Sequence, residues 1–151
     1  MTKPALEEFV PIVRDLGGMP AAELLSGDTA EPVPGSYLLL LDIAEPQTIH
    51  IKKRDWRLSA GLFVYAGSAR GAGGLKARLR RHFRKEKKPH WHIDRITTGA
   101  RAMHALCYQG ISECALCARL LDSNRFSLPI PGFGSSDCKS CPAHFLKFTG
   151  I

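Results

Sequence analysis

No stretch of eighteen consecutive apolar residues occurs in the 151-residue chain, so a membrane-spanning helix is not expected. The first twenty residues carry Glu7, Glu8, Pro11, Arg14 and Asp15, which breaks the apolar core that a secretory signal needs. A cytoplasmic location without membrane association follows as the expectation. Internal repeats and low-complexity tracts are missing, and apolar residues make up 44%, a normal globular share that argues against disorder over most of the length. The chain is too short for two ordinary domains but long enough to bury a core.

Acids are the scarce charge: 14 Asp and Glu stand against 21 Lys and Arg, a formal net charge of +7. The excess is concentrated. Between Arg70 and Arg101 there are eleven cations and two acids, Glu86 and Asp94. A basic cluster of this kind attracts polyanions through counterion release, with nucleic acid the leading candidate. A solvated basic helix is the plain alternative.

Residues 1–34 differ from the rest. Leu6, Phe9, Val10, Val13 and Leu16 recur at near-helical spacing before Gly17-Gly18, which predicts a helix. A second short helix is expected over Pro20–Leu25, ahead of a Pro32-Val33-Pro34-Gly35 linker. This stretch reads as a helical extension that packs on the domain or meets a partner. The main domain, 35–151, opens on a buried strand, Tyr37–Ile43. The alternating Ile49-His50-Ile51-Lys52 is expected to pair with it across Glu45-Pro46-Gln47. Leu62–Ala66 reads as a third strand, followed by a flexible glycine-rich turn over Ser68–Gly74. Next comes a helix over Leu75–Lys85, with Leu75, Leu79 and Phe83 on one face and Lys76, Arg80, Arg84 and Lys87 on another. Ala102–Tyr108 reads as a strand, Glu113–Leu121 as a helix and His144–Phe148 as a closing strand. The fold class is α+β: a small, mostly antiparallel sheet flanked by helices, with the helical N-terminal extension.

Gly35-Ser36-Tyr37 begins a strand, Tyr65-Ala66-Gly67-Ser68 ends a later one, and Leu75-Lys76-Ala77-Arg78-Leu79-Arg80-Arg81-His82-Phe83 follows. This order resembles the GIY-YIG nuclease family, whose two signature tripeptides lie on adjacent strands ahead of a helix with an essential Arg. The resemblance places that Arg at Arg78, a position often His or Tyr at His82, and the metal-binding Glu at Glu113. It extends to the Uri-type endonucleases through Trp91-His92-Ile93-Asp94, Glu113-Cys114 and Gly132-Phe133-Gly134-Ser135-Ser136-Asp137-Cys138, covering Gly35 to the C-terminus. Ser36 and Ala66 replace the middle isoleucines, the tyrosines are unusually far apart, and Ser68 stands where many members carry Lys.

The resemblance implies DNA cleavage with Tyr37, Tyr65, Arg78, His82 and Glu113 as the catalytic set. Phosphodiester cleavage needs an activated water and neutralisation of added charge. A Mg²⁺ or Mn²⁺ ion on one carboxylate, Glu113, is sufficient in principle. Arg78 can fork across two phosphate oxygens, and Gly67 allows close backbone approach. A phenol titrates near 10, so a tyrosine base needs nearby cations. Tyr65 is assigned as base, with Tyr37 as its orienting partner, and His82 as a proton shuttle or phosphate ligand. Gly67, Ser68, Lys76, Arg80, Arg81, Arg84, His90, Trp91 and His92 are the expected nucleic-acid contacts, with Trp91 placed to stack on a base or sugar. The plain alternative puts Trp91 in the core and has His92 and Asp94 fix the loop by hydrogen bonds.

Cys114-x-x-Cys117 and Cys138-x-x-Cys141 match a four-thiolate zinc spacing, and Cys114, Cys138, Cys141 and His144 form a second possible set. Reduced thiols and a disulfide are the other two states open to them. A non-catalytic DNA- or RNA-binding module that keeps the fold is the alternative function.

Overall fold

The computed structural model describes residues 5–25, 27–51, 53–88, 92–131, 133 and 143–150. Its centre is a six-stranded antiparallel sheet in the order β1-β6-β2-β5-β8-β7. The strands are β1 (Ala22–Leu24), β2 (Gly35–Ile43), β5 (Gly61–Ala69), β6 (Ala102–Tyr108), β7 (Phe126–Ser127) and β8 (Phe145–Phe148). A separate hairpin joins β3 (Gln47–Ile51) to β4 (Arg54–Leu58). Four helices lie among the described residues: α1 (Leu6–Gly17), α2 (Gly74–Phe83), α3 (His92–Thr98) and α4 (Glu113–Asp122). None is long and apolar enough to cross a membrane.

β2 is central and covered on both faces, which is why Tyr37–Ile43 is apolar almost without alternation. Its odd-numbered residues Tyr37, Leu39 and Leu41 meet Leu75 and Leu79 of α2 and Ile93 and Ile96 of α3. Its even-numbered residues Leu38 and Leu40 meet Phe9, Val10 and Val13 of α1 and Leu116, Cys117 and Leu120 of α4. The result is three layers, helix–sheet–helix, with the sheet in the middle.

Two expectations are corrected. Of the expected strand Ile49–Lys52, Lys52 lies outside the described residues, and Ile49–Ile51 does not pair with the first strand. Both edges of β2 are taken, by β5 and β6, so β3 pairs with β4 instead, through a tight turn where Lys53 has φ 64. Pro20–Leu25 is not helical. Six residues are too few to hold a helix, whereas β1 satisfies its backbone on the open edge of β6, with Ala21 N–H donating to Cys107 O at 2.7 Å.

The segment before β2 straps the start of α2. Leu75 N–H donates to Val33 O (2.9 Å) and Lys76 N–H to Glu31 O (3.1 Å), so first-turn donors of the helix are satisfied by the chain itself. Gly73 and Gly74 have φ 83 and 56, and a Cβ on Gly74 would collide with the Val33 backbone.

Candidate active site

Antiparallel pairing of β2 with β5 sets Tyr37 opposite Gly67. A Cβ at Gly67 would fall on the phenol oxygen of Tyr37. The glycine of the second tripeptide thus makes room for the tyrosine of the first, which explains their joint occurrence. Tyr37 is fully buried and Tyr65 is partly so. Their ring centroids are 6.5 Å apart.

From α2, His82 reaches the same point. Its Nε2 lies 2.6 Å from the Tyr37 hydroxyl, and its ring centroid is 5.9 Å from that of Tyr65. His82 is wholly buried. Burial first, then the positive charge of Lys87, drives its pKa down to about 3, with Asp94 opposing. Burial pushes the Tyr37 phenol well above 10, while Arg78 pulls it down through its charge and a hydrogen bond. Both rings are therefore neutral near pH 7. Arg78 donates to the Tyr37 oxygen, leaving the phenol O–H to donate to Nε2. The Tyr65 phenol is also raised, by burial first, with Arg78 opposing and Asp94 and Glu113 adding to the rise.

A buried charged group lies under α2. Asp94 of α3 is fully buried; its Oδ2 takes Arg81 Nη2 at 2.7 Å, and Lys87 Nζ lies 3.8 Å from Oδ1. Lys87 Nζ also donates to Arg81 O (2.8 Å), His82 O (3.1 Å) and Thr97 Oγ1 (2.8 Å). Lys87, expected on the same face as Lys76, Arg80 and Arg84, is instead enclosed: its side chain is 1% exposed. Past the end of α2 the chain turns back, and the ammonium satisfies carbonyls that the helix end leaves open. Desolvation lowers its pKa to about 8, with Asp94 opposing.

Glu113 opens α4, whose N-cap Ser112 accepts a hydrogen bond from Ala115 N–H at 3.1 Å. One carboxylate oxygen, Oε2, is buried with no hydrogen-bond partner among the described residues. The neighbouring Cys114 Sγ lies 3.4 Å from His144 Nε2, and His144 O accepts from Ala66 N–H at 2.8 Å. The start of α4 is thereby tied to the strand that carries Tyr65.

Tyr37, Tyr65, Arg78 and His82 thus come together, and Glu113 acts on Tyr65 through its charge. The nucleic-acid candidates fall into groups. Lys76 and Arg84 lie on the outer side of α2 and Ser68 at the end of β5, partly or fully exposed. Arg80 pairs with Asp28 at 3.3 Å, and Arg81 is occupied by Asp94 and by Lys88 O at 2.9 Å. His92 begins α3. His90 and Trp91 lie outside the described residues, as do Cys138 and Cys141. Cys114 is disulfide-bonded, the third of the states open to the cysteines, and the buried Cys117 thiol donates to Ala143 O at 3.0 Å. Among the described residues no three metal-ligating side chains cluster. The roles of Lys87 and Thr97 were not foreseen; the only signal was Asp94, polar amid Ile93 and Ile96.

A family described as domain of unknown function DUF123 matches residues 36–150, three quarters of the chain. The chain belongs to the DUF123 family. No curated protein and no solved structure matches it significantly. The DUF123 match begins at Ser36 and takes in both tyrosines, the whole of α2 and α3, and Glu113.

Proposed function

We propose that this DUF123 protein is a metal-dependent endonuclease of the GIY-YIG kind, in its Uri-type branch, that hydrolyses phosphodiester bonds in DNA. The observation that carries the reading is the convergence of Tyr37, Tyr65, Arg78 and His82 beside a carboxylate with an unsatisfied buried oxygen. A buried carboxylate oxygen without a donor is costly, and a hard divalent cation would satisfy it. Glu113 therefore fits Mg²⁺ or Mn²⁺, which bind through one or two carboxylates and keep several waters. Bound there, the ion would neutralise charge on the phosphate and acidify water.

The protein groups divide the remaining work. Tyr65, the more exposed phenol, takes the proton at its oxygen once cations have lowered it. Tyr37 is too deeply buried to meet substrate and acts as the orienting partner. Its oxygen accepts from Arg78 and its O–H is held by His82, which aims the rest of the guanidinium at a phosphate. His82, neutral and enclosed, holds Tyr37 in place.

Cleavage of labelled single-stranded, duplex, flap and junction DNA with Mg²⁺ or Mn²⁺ tests this. Glu113→Ala is expected to lose on the order of a hundredfold or more in rate, and Tyr65→Phe a comparable amount. Equal cutting by Glu113→Ala would reject the assignment. The second reading, a non-catalytic nucleic-acid-binding module, draws on the elevated pKa of both phenols. Binding of every substrate with no cutting would select it.

A further inference from the structure

Where β2 and β6 meet the start of α4, an open groove of about 400 Å³ is lined by Ser36, Arg70, Gln109, Ile111 and Ser112. We infer that this groove is a second phosphate site, seating a backbone phosphate of the bound strand next to the one processed at Glu113. It deepens the nuclease reading and rests on it for the identity of the strand.

Three observations carry it. The groove has one charged side chain, Arg70, and no carboxylate. Arg70 is exposed and makes no ion pair with the described residues, unlike Arg14, Arg80, Arg81 and Arg101, which are all paired. Ser36 is a buried polar residue, 5% exposed, whose side chain lines the groove and makes no hydrogen bond to the described residues. With no partner among the described residues and a place in the groove wall, that hydroxyl is free to donate to a phosphate oxygen that enters. Third, the groove ends at Ser112, the residue before Glu113, at the positive end of the α4 dipole. The groove thus comes within one residue of Glu113, beside a strand bound there.

The walls are fixed. Gln109 Nε2 donates to Pro34 O at 2.8 Å, and a Cβ on Gly35 would press on Tyr108 O and the Leu75 side chain, both at 2.9 Å. The partly buried Ile111 offers an apolar patch for a sugar. A rigid wall with one unpaired cation and one unpaired hydroxyl suits a phosphodiester, which brings acceptors only.

The test uses the 151-residue chain carrying Glu113→Ala, without metal, and a fluorescein-labelled flap duplex, read by anisotropy over a range of salt. Adding Arg70→Gln is expected to weaken binding about threefold to tenfold and to lower the salt slope by about one. Adding Ser36→Ala is expected to weaken binding about threefold with the slope unchanged. In parallel, ¹⁵N-labelled protein titrated with thymidine 3′,5′-bisphosphate should show saturable shifts at the amides of Ser36, Gly110 and Ser112, lost in Arg70→Gln. Arg70 is exposed, so this arm holds even if Ser36→Ala folds poorly. Bisphosphate shifts that avoid these amides, or DNA affinity and salt slope indifferent to Arg70, would overturn the inference. Cleavage by the wild type together with an indifferent Arg70 leaves the nuclease reading standing and removes the groove. Groove binding with no cleavage does the reverse.

Discussion

The two faces of the central sheet are equally buried but made of different material. Under α1 and α4 the packing is apolar, with Phe9, Val13, Leu38, Leu40, Leu116 and Leu120 all fully enclosed; the polar Ser36 and His144 are also buried there. Under α2 and α3 the protein encloses Tyr37, His82, Asp94 and Thr97 just as completely. Burying ionisable groups costs free energy that apolar side chains of the same volume would not. The second face therefore gives up stability for geometry, and what it fixes in place is the pair Tyr37–His82 at 2.6 Å. One face is mainly apolar core, with Glu113 at the start of α4 on that side; the other encloses the tyrosine–histidine pair.

The comparison can be broken at either face. Phe9 packs its ring 4.9 Å from Phe148 and 6.3 Å from Phe126. Phe9→Ala is expected to cost about 3–5 kcal/mol of stability, measured by urea denaturation, with DNA cleavage per folded molecule unchanged below the melting transition. Loss of cleavage in the folded variant would mean that the apolar face also tunes the site. Gly67→Ala strikes the other face. Its Cβ displaces the Tyr37 phenol, at a cost of about 1–3 kcal/mol, and cleavage should fall about tenfold as Arg78 loses its anchor. The ring carbons Cζ and Cε2 of Tyr37 crowd the same Cβ, so the double variant Gly67→Ala/Tyr37→Phe should regain only part of the stability and none of the cleavage. Unchanged melting and cleavage in Gly67→Ala would show that the Tyr37–Gly67 contact is incidental.

The same division governs what was legible in the sequence. The strands that build the sheet announce themselves: Ala102–Tyr108 was expected as a strand with the bounds it has, because an apolar run between polar residues has few other solutions. β1 was hidden because three residues at a sheet edge carry no period. β4 was hidden because Arg54-Asp55-Trp56-Arg57 reads as polar, although the Arg54 guanidinium lies 4.0 Å above the Trp56 ring and shields it. α3 is not legible in the sequence, since Ile93, Ile96, Thr97 and Thr98 are β-branched and disfavour helix. Local bonds support it, with the Thr97 and Thr98 hydroxyls donating to Asp94 O at 3.2 and 3.1 Å. The candidate residues Tyr37, Tyr65, Arg78, His82 and Glu113 stand out through their order along the chain. Lys87 was not, because only the return of α3 under α2 encloses it.

The pH dependence separates the faces most cleanly. His82 titrates near 3 in the folded protein against 6.5 when free, since burial and the cations Lys87, Arg78 and Arg81 outweigh Asp94. Between those values the unfolded chain binds a proton that the folded chain refuses. Stability is therefore fully present above pH 6.5 and is lost as pH falls toward 3, at up to about 1.4 kcal/mol per pH unit. His82→Gln removes the titrating group and should flatten the stability profile by that increment. Glu23, whose carboxyl is lowered chiefly by its hydrogen bond to Arg14, also loses stability in acid, but it is present in both proteins and cancels in the difference. Phe9→Ala should lower the whole curve and leave its slope between pH 6.5 and 3 as in the wild type. Parallel curves for wild type and His82→Gln would mean that His82 is protonated in the folded state, and the neutral Tyr37–His82 pair would fall with it.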